Sequence, residues 1–201
     1  MMGPSHAATG AAAWLALTGR HSPVEALHLP AELQLLGALT TAGAALISAW
    51  DHLRASVAHA LPPLTEWISR GVSDASGSHR QGTRSLLGIA AFTALAVVAA
   101  VLGTVLGDGL WWIPASVAIG VSAHILGDAL TAVGVPLLWP LRPAPPVRTP
   151  LWSSSGRFSL PLLGATGSWR EWLFVSVLTA FTVVRAVHLV PPASRSVAAL
   201  L

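Results

Sequence analysis

His124 and Asp128 stand four residues apart in Gly120 to Leu141, GVSAHILGDALTAVGVPLLWPL, a stretch that is otherwise almost wholly apolar. On a helix that spacing projects an imidazole and a carboxylate from one face, about 6 Å apart. The two groups can then share one divalent cation. Neutral imidazole with ionised carboxylate suits Zn²⁺, Mn²⁺ or Fe²⁺. The chain has no Cys, so disulfides and thiolate ligation are excluded, and any metal rests on His, Asp, Glu or backbone oxygen. An arginine beside such an ion would suit a substrate phosphate. The bland reading of the pair alone is a hydrogen bond that fixes helix packing in lipid.

The surrounding elements must hold such groups inside a membrane. Of 201 residues, 53% are apolar and only 9% charged, against roughly 25% charged in soluble domains. So few charges cannot cover a soluble globule, which makes the bilayer the expected solvent. The net charge of +3 is spread over scattered arginines without a basic, aromatic-interleaved run, so no specific nucleic-acid binding is expected. Met1 to Ser5 lacks the positive start of a signal peptide. Ala7 to Thr18 is apolar but short of the ~20 residues a span needs; it either extends into the next polar stretch or packs inside the bundle. Ala31 to Trp50, Leu86 to Gly107, Leu110 to Gly127 and Glu171 to Val190 read as four spans. Small residues of the first suit close helix packing, and Trp111 and Trp112 suit interfacial anchoring. Leu53 to Ile68 has a helical apolar repeat broken by Pro62 and Pro63, and Ala129 to Leu141 reads as irregular. The expected fold is an all-α, polytopic membrane bundle of four to five transmembrane helices. It forms one domain over residues 1–190, with loops 51–85 and 142–170 and a short tail over 191–201.

If the first helix crosses, eight of the 11 arginines fall in the N-terminus and those two loops, which places them in the cytoplasm. The same geometry sorts the polar residues. His6 starts the first helix, Asp51 and His52 end the second, and His79 to Arg84 lead into the third. His124 and Asp128 close the fourth, and Glu171 opens the last. All fall at one membrane face. Singly, each has a plainer reading: Asp51-His52 as a helix end in the interface, His79-Arg80 and Arg84 as a positive-inside cluster, Glu171 as a charge favoured by the helix dipole. Their joint placement points to a site. His59 is a weaker candidate, whereas His21, His28 and His188 fall on the opposite side and take no role in it.

The residues also resemble a known family, the YdjM-type bacterial inner-membrane proteins, described as membrane-bound metal-dependent hydrolases. The resemblance covers about residues 5–175. It rests on Ser5-His6 with Gly10, Asp51-His52, and His79-Arg80 with Thr83 and Ser85. It continues through His124-Ile-Leu-Gly-Asp128 with Thr131, Gly134-Val-Pro136 with Trp139-Pro140, and Gly167 with Glu171. It implies a relationship to zinc-dependent phospholipases C and single-strand nucleases, hence His/Asp-bound metal and phosphoester hydrolysis on a lipid or nucleotide. Two positions depart from the pattern. Ala49 stands where the family has an Asp, and Arg84 where it has a second His. With one acid and one imidazole gone, His6, Asp51, His52, His79, His124 and Asp128 supply donors for a mononuclear site, Zn²⁺ first and Mn²⁺ second. Arg84 or Arg80 would steady the phosphate, and Glu171 completes the polar set. The rival expectation is a catalytically degenerate member that serves as a structural or regulatory membrane protein.

Overall fold

The computed structural model describes residues 1–19, 22, 27–47, 66–67, 70–71, 74, 82–105, 110–141, 151–152 and 156–190. Five α-helices run through them: α1 (Gly3–Leu17), α2 (Ala31–Ile47), α3 (Leu86–Val105), α4 (Ile113–Ala129) and α5 (Trp169–Leu189). A 3-10 turn, Gly82–Arg84, leads into α3. The fold is all-α, as composition and periodicity predict. Asp51 to Thr65, the loop 142–150 and the tail 191–201 lie outside the described residues.

The helices divide by length and by what they face. α3 and α5, at 20 and 21 residues, are each about 30 Å long, the thickness of a bilayer's hydrocarbon core. Among the described residues they are the two helices long and apolar enough to cross a membrane. Their large side chains point outward: Leu95, Leu102, Val105, Leu173 and Val177 are all well over half exposed. Water would not tolerate so continuous an apolar surface on a monomer, whereas acyl chains do. α1, α2 and α4 have 15, 17 and 17 residues and make the interior. The short first helix is therefore a packed one. It begins at Gly3, with Pro4 in its first turn where a missing N–H costs nothing.

α4 is the central strut. It packs against α1, α2 and α3, and Val121, His124 and Ser116 on it are fully buried. The crossings are tight because small residues meet. A Cβ on Gly120 would stand 2.5 Å from Thr41 O, and one on Gly10 would stand 2.8 Å from the same oxygen. α1 and α4 thus both close on one turn of α2, through the small-residue packing that helices use in lipid. α4 starts at Ile113 rather than Leu110, with Pro114 in its first turn. Trp112 just before it turns inward, its ring 6.4 Å from that of Trp14, instead of anchoring at the interface; Trp111 remains over half exposed.

Residues 130–141 and 156–168 are irregular, as expected of Ala129 to Leu141, but not loose. Leu160 N and Leu163 N donate to Ala129 O and Leu130 O at 2.7 and 3.0 Å. Val135 and Phe158 exchange two bonds of 2.8 Å, and Leu86 N donates to Leu137 O at 3.0 Å. These bonds satisfy the carbonyls at the end of α4 and tie in the start of α3. Non-helical backbone near a bilayer needs such pairing.

Candidate metal centre

The buried end of α4 gathers the polar side chains. Asp128 is 4% exposed and His124 is wholly buried. His6, in the first turn of α1, lays its ring on that of His124, with centroids 3.6 Å apart and planes 13° from parallel. His6 Nε2 lies 3.2 Å from Asp128 Oδ1, and His124 Nε2 lies 3.4 Å from Asp128 Oδ2. Arg84, from the 3-10 turn, pairs with Oδ2 through Nη1, and the Met1 amine reaches Oδ1 at 2.6 Å. One carboxylate thus meets two imidazoles and two cationic groups.

The backbone fixes the state of His124. Its Nδ1 is 2.5 Å from Ala45 O; a carbonyl only accepts, so Nδ1 carries the proton and donates it. In the neutral ring Nε2 then bears a lone pair, turned towards Asp128. Neither ring nitrogen of His6, nor Nε2 of His124, has a hydrogen-bond partner of proper geometry, close though both rings lie to the carboxylate. Buried unpaired nitrogens are costly, and two lone-pair atoms facing each other call for a positive centre between them. His6, His124 and Asp128 each offer a ligand atom, all within 4.8 Å of one another. That donor set fits one divalent ion, with the Ala45 carbonyl in the orienting role that backbone oxygens take behind metal-bound imidazoles.

Of the residues singled out from the sequence, His6, Arg84, His124 and Asp128 converge on this cluster, and Glu171 lies apart from it. Glu171 is fully buried. Its Oε1 accepts from Met2 N at 2.8 Å and its Oε2 from Gly167 N at 2.9 Å. It opens α5 with Ser168, whose Oγ accepts from Glu171 N, and it pins the start of α1 at Met2, four residues before His6. Asp51, His52, His79 and Arg80 lie outside the described residues. Sequence reasoning did not reach the Ala45 carbonyl or the Met1 amine, since backbone groups carry no residue-type signal. Ser168-x-x-Glu171 does carry one, the spacing of a helix-capping pair, and it would have set the start of α5 two residues earlier.

The profile of a family described as YdjM inner membrane protein matches residues 1–191, nearly the whole chain. The chain belongs to that family. Two curated relatives called inner membrane protein YdjM, from Escherichia coli (strain K12) and Shigella flexneri, are each 38% identical to it over 102 residues. That alignment covers 49% of this chain and 41% of each relative, so the match spans less than half of the YdjM proteins' own length. No solved structure matches the chain. The YdjM family name places this protein with inner-membrane proteins, in accord with the outward apolar faces of α3 and α5.

Proposed function

We propose that this protein is a membrane-embedded, metal-dependent hydrolase-like protein acting on phosphoesters of lipids or nucleotides. The observation that carries the reading is the tautomer of His124. With Nδ1–H given to Ala45 O, its Nε2 lone pair and Nε2 of His6 face Asp128 in a buried site. His6, His124 and Asp128 would hold one divalent ion, Zn²⁺ or Mn²⁺, and Asp51, His52 and His79 would complete its surroundings. Such an ion supplies Lewis acidity at neutral pH. The chain's own residues do the rest. α4 and α1 hold the two imidazoles in a fixed stack. Arg84 carries a guanidinium whose fork geometry matches a phosphate, and Arg80, outside the described residues, would be the second candidate for that role. Glu171 keeps the first turn of α1, and with it His6, in place. The protein would lie multi-pass in the bacterial inner membrane, with this end of the bundle and the large loops in the cytoplasm.

One observation favours a second reading. Arg84 and the Met1 amine already neutralise Asp128, as they would in a catalytically degenerate member that keeps the fold for a structural or regulatory task. Metal content separates the two. Protein purified in detergent and reconstituted with zinc or manganese should hold about one ion per chain, and His124→Ala and Asp128→Ala should hold none. Wild type without stoichiometric metal after reconstitution would sink the hydrolase reading and leave the structural one.

A further inference from the structure

A second polar site lies at the other end of the bundle. Between the ends of α1 and α5 and the start of α2 is a cavity of about 570 Å³, lined by Leu15, Gly19, Gln34, Phe181, Arg185 and His188 among others. Leu15 is nine residues beyond His6 on α1, so the cavity is about 14 Å along the helix from the His6–Asp128 cluster and shares no residue with it.

Three features mark it as built to hold something. Gln34 is only 6% exposed; its Nε2 donates to Leu29 O at 2.7 Å, which fixes the amide and leaves Oε1 buried without a partner. Arg185 has no carboxylate partner among the described residues. Among the described residues it makes two long bonds, from Nη2 to Leu15 O and Thr18 O at 3.4 Å each, against the five donors a guanidinium carries. Gly19, at φ +106°, stands between them: a Cβ there would lie 3.1 Å from Arg185 Nη2 and 3.3 Å from Gln34 Oε1. The missing side chain keeps the space between a cation and an unused acceptor open. The opposite wall is apolar, with Leu15, Phe181 and Leu189.

An occupant must therefore carry an anion for Arg185, a hydrogen-bond donor for Gln34 Oε1, and apolar substance for the wall. The position names its source. Arg185 is one turn from the end of α5, a helix as long as the hydrocarbon core is thick, so the cavity opens at the level of lipid headgroups. We propose that it binds the phosphodiester headgroup of a bilayer phospholipid whose alcohol bears an N–H or O–H donor, such as ethanolamine or glycerol. The phosphate accepts from Arg185, the ammonium or hydroxyl donates to Gln34 Oε1, and an acyl chain covers Leu15 and Leu189. A choline headgroup supplies the phosphate but no donor.

The test is lipid retention and thermal protection of the full chain in detergent. Wild type should retain about one phospholipid through detergent exchange, and Arg185→Gln roughly tenfold less. Because Arg185→Gln could weaken folding, Gln34→Glu is the companion. Its carboxylate gives up the amide's bond to Leu29 O but is set to pair with Arg185 internally, so it should expel the lipid while leaving the lipid-free protein folded, with a Tm within a few degrees of wild type. Added phosphatidylethanolamine or phosphatidylglycerol should raise the wild-type Tm by several degrees and leave Gln34→Glu unmoved. Equal retention by wild type and Gln34→Glu would overturn the proposal, as would equal protection by phosphatidylcholine. Protection by inorganic phosphate alone, without retained lipid, would assign the cavity to free phosphate and overturn it too.

Discussion

Asp128 is the residue on which charge balance turns, because every other polar group of the cluster answers to it. Arg84 occupies one of its oxygens, at the position where the family pattern has an imidazole. Arg84→His should therefore free that oxygen and add a donor, raising the zinc bound per chain in elemental analysis of the purified protein. Unchanged zinc would show that Arg84 does not limit the site. The reverse change exposes the pair's structural weight. Asp128→Ala leaves the buried guanidinium without its carboxylate, an outcome that costs about 3–5 kcal/mol in other proteins. The variant's melting temperature in detergent should fall well below that of Asp128→Asn, which keeps an acceptor. At this scale the sequence was partly legible. His124 and Asp128 announce themselves because their relation is local, one helical turn. Arg84 lies 44 residues from Asp128 and Ala45 79 residues from His124, and no local spacing encodes either contact.

At the scale of elements, small and hydroxyl residues that are not ligands shape the helices that carry the cluster. Gly10 and Gly120 let α1 and α4 settle on the same turn of α2. Thr131 donates to Asp128 O, and Ser85 accepts from Gly88 N at the start of α3. Gly120→Ala would push a methyl against the Thr41 carbonyl, a backbone atom that cannot swing aside. It should cost about 1–3 kcal/mol and show as a lowered Tm, while the conservative Ala123→Ser on the same helix serves as the control. Ser168→Ala removes the cap of α5 and should cost about 1 kcal/mol, measurable the same way. Existence and order of the helices were readable because long apolar runs have few other fates. Their ends were not: Pro114 and Ser168 move two starts by two or three residues, and Trp112 faces the core because α1 supplies Trp14 opposite it.

For the molecule as a whole, the arginine distribution predicts orientation. A reporter fused after Arg148 should read cytoplasm in a bacterial inner membrane; a periplasmic signal would reverse the bundle and carry the His–Asp cluster with it. The composition alone identifies the solvent, yet not the inequality among helices. Among the described residues two helices are long with exposed apolar faces and three are short and pack on one another, and a hydropathy pattern weighs them alike. The bond from Met2 N to Glu171, across 169 residues, adds a matter of timing. A chain is made in N-to-C order, so His6 exists long before α5 is there to clamp it. Glu171 can hold Met2 N, and so fix the first turn of α1 that carries the stacked His6, only once α5 is made. Until then the first turn of α1, and His6 with it, rests only on α2 and α4, and the clamp on the cluster is among the last contacts the chain can make.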